Sequence, residues 1–166
     1  MRFAILIILV VVLDQLSKFW IVGNFSLYES LPVIPGFFSL TYLTNTGAAF
    51  GILAGHPVWW RQAFFVTVAL VALVFIGFMY RRLRNDSVWY EVALAFIAGG
   101  AIGNLVDRVL LGSVTDFLDV YVGTHHWPAF NVADSAISVG VAIFLVMNIF
   151  FDNMTEKKTK QEQKGI

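Results

Sequence analysis

The chain has 166 residues, 58% of them hydrophobic and 13% charged, with a formal net charge of zero. Soluble domains are about 45–50% apolar and 25% charged. A mean hydropathy of +0.76 therefore excludes an ordinary soluble domain and predicts an integral membrane protein of one compact domain. The balanced charge offers no basic patch for nucleic acid, and the lack of cysteine excludes disulfides, thiolate nucleophiles and thiolate metal sites.

Four apolar runs are long enough to cross the ~30 Å hydrocarbon core at about 1.5 Å per helical residue. The first is predicted over about 3–22. It resembles a secretory leader only superficially: no Ala-x-Ala site follows, and it carries Asp14, Gln15 and Lys18. Asp14 lies about 16 Å along the helix from Phe3, past the bilayer centre. Asp14 and Lys18 are spaced i,i+4 and pair on one face. A structural ion pair, with the lysine reaching towards the interface, is the plainer reading of them than direct chemistry.

An outer segment follows at about 23–57. Its stretch 36–43 is rich in aromatic and β-prone residues and predicts a short strand or hairpin, with Asn45-Thr46-Gly47 as its turn. The second span is predicted at about 58–80 and the third at about 88–111. In the third, Gly99-x-x-x-Gly103 permits close helix contact. Gly100, Asn104 and Asp107 share a face and read as a buried network that positions the loop after the helix. Gly112 is placed to end that helix as its C′ residue. The outer loop, 112–129, holds Asp116, Asp119 and an interfacial aromatic cluster of Tyr121, Trp127 and Phe130. The fourth span is predicted at about 130–151, with Asn131 as N-cap and Asp134 at N3, a capping box with Asp in place of Glu. A polar tail, 153–166, is expected to be irregular.

Eight basic residues (Arg2, Arg81, Arg82, Arg84, Lys157, Lys158, Lys160 and Lys164) fall on one side, against Lys18, Arg61 and Arg108 on the other. This asymmetry predicts cytoplasmic termini and puts both outer segments on the opposite face.

Ionisable groups beside hydrocarbon cost a few kcal/mol, roughly 2.5–3.5 on insertion scales, so Asp116 and Asp134 at neighbouring segment ends read as a carboxylate dyad. A helix N-terminus favours negative charge at Asp134. Two neighbouring carboxylates, partly buried, share one proton, which supplies one base and one acid. The plainer readings are a capping residue for Asp134 and a solvated loop acid for Asp116. The residues alone leave Asp119 as an alternative to Asp116. Adjacent His125 and His126 do not face one metal from a helix, no His-Glu-x-x-His pattern occurs, and Ser17 and Lys18 are likewise adjacent, so neither a metal site nor a Ser–Lys dyad is expected. A proton-coupled carrier is the rival class. It would show an internal repeat or broken helices with polar groups near the midplane, whereas these acids cluster at one end. A purely structural scaffold gives no reason for the dyad.

Five blocks, in order, resemble bacterial lipoprotein signal peptidases (signal peptidase II) over nearly the whole chain. They are Asp14-Gln15-x-x-Lys18; Asn45-Thr46-Gly47-Ala48-Ala49-Phe50; Gly99-Gly100-Ala101-x-Gly103-Asn104-x-x-Asp107-Arg108; Val114-x-Asp116-Phe117; and Phe130-Asn131-x-Ala133-Asp134-Ser135. The resemblance implies a four-helix membrane aspartic endopeptidase with a small outer β-rich segment. Residues 1–152 would form one membrane-embedded domain. It would remove the signal peptide on the amino side of a diacylglyceryl-modified lipobox cysteine. It further implies Asp116 and Asp134 as the catalytic dyad. Asp14, Lys18, Asn45, Gly47, Asn104, Asp107, Arg108 and Asn131 become substrate-positioning or structural residues. No cofactor and no metal are expected. The expected partners are lipid-modified prolipoproteins and membrane lipid, not nucleic acid. The expected setting is a monomer in the bacterial inner membrane with its active site on the outer face. In the mechanism this implies, a water between the aspartates attacks the scissile carbonyl, Asn45, Asn104 and Asn131 are candidate oxyanion donors, and the segment bearing Asn45–Phe50 covers the site.

Overall fold

The computed structural model of the chain describes residues 1–47, 55 and 59–164, with side chains to residue 149. Its elements run α1 (Arg2–Asn24), β1 (Ser30–Ile34), β2 (Phe38–Asn45), α2 (Trp59–Leu83), α3 (Val88–Leu111), β3 (Val114–Val122), β4 (His125–His126) and α4 (Val132–Lys164). All four helices are long and apolar enough to cross a membrane, the last over Val132–Ile149. In hydrocarbon a helix satisfies its own backbone, which is why these runs take no other form. Ala48, Ala49 and Phe50 of the second motif block, and the expected start of the second span at Val58, lie outside the described residues.

Helix α3 is the hub, packed against α1, α2 and α4. It is well terminated. The Ser87 side chain accepts the Trp89 N–H at 3.2 Å, and Gly112 sits in the left-handed region (φ 77) with its N–H on the Arg108 carbonyl, as the sequence predicts. Helices α1 and α3 run parallel with a constant offset of 88 to 89 residues. Phe3 meets Glu91, Val10 meets Gly99, and Lys18 meets Asp107. The small residues make this contact close: a Cβ on Gly99 would overlap Val10, and one on Gly100 would overlap the Ala133 carbonyl of α4. At the N-terminal end of this pair, the Glu91 carboxylate accepts the Phe3 N–H at 2.9 Å, and the Phe3 ring stacks on Tyr80 at 3.9 Å. Ile76, Leu94 and Ala98 form the apolar core there. Ile76 is the one fully buried residue of α2, with Leu73, Met79 and Tyr80 half-buried beside it.

The segments between the helices are more ordered than the sequence predicts. Among the described residues, four strands form an antiparallel sheet in the order β1-β2-β3-β4. The hairpin turn lies at 35–37, where Gly36 has φ 82 and the Phe37 N–H reaches the Ile34 carbonyl, not at Asn45-Thr46-Gly47. Asn45 instead ends β2, paired with Val114. The expected loop 112–129 contains β3 and β4, and β2–β3 pairing joins the two outer segments into one sheet. Two partly apolar stretches some seventy residues apart can each complete the other's ladder, and a buried edge without that pairing would leave backbone groups unsatisfied. The tail also differs from its expectation: α4 continues as helix to Lys164, in keeping with the strong helix formers (Met, Glu, Lys and Gln) of that stretch.

Candidate active site

Strand β3 and the first turn of α4 meet at the C-terminal end of α3. Phe117 and Leu118 both donate to the Phe130 carbonyl (3.0 and 2.8 Å), and Phe130 returns an N–H to Leu118 at 3.1 Å. This bridge fixes Asn131, which follows it, beside Asp116. Asn131 is fully buried. Its Oδ1 accepts the Asp134 N–H at 2.9 Å, and an Asp134 carboxylate oxygen receives the Asn131 N–H at 3.3 Å. This is the predicted capping box. The same side chain turns its amide Nδ2 to Asp116 Oδ1 at 2.8 Å, sharing its two hydrogens also with the Thr115 carbonyl and Asn104 Oδ1 at 3.2 Å. One amide thus ties both aspartates together.

Behind Asp134 lies a charged cluster. Asn104 Nδ2 donates to Asp134 Oδ1 at 2.7 Å, and Asn104 Oδ1 accepts from Lys18 Nζ at 3.0 Å. Lys18 also contacts Asp14 at 2.8 Å and Asp107 at 3.0 Å. The i,i+4 pair therefore forms, but its lysine does not reach towards the interface: Lys18 is only 4% exposed, and all three of its protons are claimed internally. A buried ammonium between two carboxylates and an amide is the arrangement that offsets its desolvation. Each acid also performs a second task. Asp14 Oδ1 accepts the Ala133 N–H of α4 at 2.9 Å, and Asp107 Oδ2 accepts the Thr115 N–H at 3.0 Å, next to Asp116. Of the expected network, Asp107 bonds the backbone next to Asp116, whereas Asn104 bonds Asp134 and Asn131. Gln15, absent from the expected site residues, donates to Asp14, Asp107 and the Gly103 carbonyl at 2.9 to 3.1 Å. Its signal was an amide beside Asp14 inside an apolar run. Ser135, whose hydroxyl donates to the Asn131 carbonyl at 2.8 Å, was likewise missed.

On the opposite side, Asn45 Nδ2 donates to Asp116 Oδ2 at 3.1 Å, and the Gly47 N–H donates to Asn45 Oδ1 at 2.9 Å. Arg108 Nη2 donates to the Gly47 carbonyl at 2.7 Å, and its guanidinium lies over the Phe65 ring at 4.3 Å. Burial, reinforced by the neighbouring Asp134 charge, pushes the Asp116 carboxyl up to about 7 despite the opposing bonds from Asn45 and Asn131. Asp119 is placed elsewhere. It alternates to the other face of β3, and both its oxygens lie 2.9 to 3.0 Å from Nδ1 of His126, whose ring stacks on Tyr121. Among the described residues no three His, Asp or Glu side chains converge in a way that could hold a metal ion.

A family model described as signal peptidase (SPase) II matches residues 6–151. The chain belongs to the signal peptidase II family. Signal peptidase II is an aspartic protease family. Proteins named lipoprotein signal peptidase are similar throughout. The chain is 49% identical to that of Geobacter metallireducens over 94% of each chain. It is 52% identical to that of Syntrophus aciditrophicus over 85% of this chain and 87% of the relative. A solved bacterial membrane enzyme, 32% identical, superposes with a TM-score of 0.80 over 89% of this chain and 87% of its own. Four spans and these bacterial signal peptidase II relatives make the chain a multi-pass inner-membrane protein.

Proposed function

We propose that Asp116 and Asp134 are the catalytic dyad with which this member of the signal peptidase II family removes the signal peptide from diacylglyceryl-modified prolipoproteins, on the amino side of the lipobox cysteine. The observation that carries this reading is the Asn131 side chain, which donates to Asp116 while capping the helix turn that bears Asp134. Two largely buried carboxylates near enough for one to act on the other's charge have no structural need of each other.

Asp134 sits at N3 of α4, where a helix N-terminus favours negative charge, receives Asn104 at 2.7 Å, and takes the role of base. Asp116 holds the shared proton. A water between them gives a proton to Asp134 as it attacks the scissile carbonyl. Asp116 donates to the carbonyl oxygen. The acid and base then exchange roles to protonate the leaving amine, so the dyad ends as it began. Asn45, Asn104 and Asn131 converge on the dyad and supply donors for the charge that develops.

Both termini and the 81–87 connection face the cytoplasm, by the distribution of basic residues, and the dyad opens at the outer face. The substrate's acyl chains remain in lipid beside the helices. Residues 1–152 work as one membrane-embedded domain, the chain acts as a monomer, and the remaining polar segment is cytoplasmic. Asp14, Lys18 and Asp107 support the dyad from behind, and Asn45, Gly47 and Arg108 from the cover side. The test is cleavage of a diacylglyceryl-modified prolipoprotein by the purified protein in detergent. Processing by wild type, and none by folded Asp116→Asn or Asp134→Asn, supports the reading. Full activity in either variant overturns it.

A further inference from the structure

The end of β2 is gripped by a residue of a different element. Arg108 of α3 donates to the Gly47 carbonyl at 2.7 Å and is seated on the Phe65 ring of α2. Gly47, buried, donates its N–H to Asn45 Oδ1 at 2.9 Å. That bond fixes which way the Asn45 amide points, because its oxygen is occupied and its nitrogen is left to face Asp116 Oδ2 at 3.1 Å. The chain of bonds Arg108–Gly47–Asn45–Asp116 therefore has a definite direction. We propose that Arg108 is a positioning residue that latches the end of β2, and that loss of this latch withdraws the Asn45 amide from Asp116 Oδ2. This rests on the dyad reading above.

The physical basis is a donor that favours a charged acceptor. Asn45 opposes the rise in the Asp116 carboxyl, so its withdrawal lets that carboxyl bind a proton more readily. The charged groups facing Asp116 are Asp134 on α4, Lys18 on α1 and Arg108 on α3. The first two are held by their own network and do not depend on Gly47. Arg108 acts in two ways, through its charge and through its grip, and the two are separable. Lysine keeps the charge but not the fork of donors over Phe65.

The experiment compares pH profiles of kcat/KM for cleavage of a diacylglyceryl-modified prolipoprotein by wild type, Arg108→Lys, Asn45→Ala and the double variant. The alkaline limb is expected to move up by on the order of one pH unit in each single variant, with no further movement in the double variant. Unchanged limbs, or shifts that add in the double variant, overturn the latch. A second readout needs no catalysis. The chain has no cysteine, so Thr44→Cys, at an exposed site beside Asn45, takes a single nitroxide label. Its spectrum is expected to loosen in Arg108→Lys and Arg108→Ala, and an unaltered spectrum overturns the latch. If Asp116→Asn retains cleavage, the dyad reading fails, whereas the label still reports on the grip.

Discussion

Asn104 and Asp134 are joined by a 2.7 Å hydrogen bond whose direction is set from behind by Lys18. An amide can present either its oxygen or its nitrogen to a neighbour. Here the ammonium takes the oxygen, which leaves only the nitrogen for the carboxylate. Asp134 Oδ1 is therefore met by a donor, as Oδ2 is by the Asn131 N–H.

The first prediction concerns which acids act. Asp116→Asn and Asp134→Asn are expected to fold and to lose at least about 10²–10⁴ in kcat, the usual contribution of placed acid–base groups. Asp119→Asn is expected to retain cleavage, since its carboxylate is bound to His126 on the other face of β3. Peptidase assays on the three purified variants check this. An inactive, folded Asp119→Asn would move the dyad.

The second concerns proton affinity. Asp116 binds its proton near pH 7 when folded and near its ordinary value of 3.8 when unfolded. Its contribution to stability is therefore fully present below about pH 4 and is lost as pH rises towards 7. The difference in Tm, Asp116→Asn minus wild type, should climb between those values and level off above. Thermal unfolding in detergent from pH ~4 to ~8 measures it. A flat difference would mean that the site does not perturb Asp116. In the same terms, cleavage should decline on the alkaline side as Asp116 loses the proton it must donate.

The third concerns the buried cluster. Lys18→Met leaves Asp14 and Asp107 without their counter-ion and is expected to cost about 3–5 kcal/mol, read from denaturant unfolding. In that background, Asp107→Asn should cost less than it does alone, because one uncompensated charge is removed. Strictly additive losses would show that the three side chains do not act as a unit.

The fourth concerns packing. A methyl group on Gly100 would press on the Ala133 carbonyl, one residue before Asp134. Gly100→Ala is expected to destabilise by about 1–3 kcal/mol and to lower kcat more than it raises KM, because the displaced group is a catalytic turn rather than a substrate surface. Stability and steady-state kinetics on one preparation test both halves.

Much of this site was legible because its signals are local. A capping box spans four residues, so Asn131 and Asp134 could be placed from their spacing alone, and Gly112 announced the end of α3 in the same way. The Asp14–Lys18 pair was equally local, although the fate of the lysine was not. Whether a long cation reaches for water or is consumed indoors depends on Asp107 and Asn104, far along the chain. The β2–β3 ladder was not legible for the same reason. Asn45 and Val114 pair across the sequence, and neither strand says what it will lie beside. Asp119 shows the other limit. Composition and position made it equivalent to Asp116, and only the alternation of an unforeseen strand separates them.

The constant offset between α1 and α3 has a consequence for how such a chain can change length. Glu91 fastens one end of the pair, and Lys18 with Asp107 fastens the other. Adding one residue to α1 between these fasteners would turn everything beyond it by about 100° and advance it by about 1.5 Å, swinging Asp14 away from the N-terminus of α4. The same insertion placed at a matching level in α3 would restore the alignment. A change of length between the fasteners in either helix thus calls for a matching change in the other, so two distant stretches of the gene are bound to a common length.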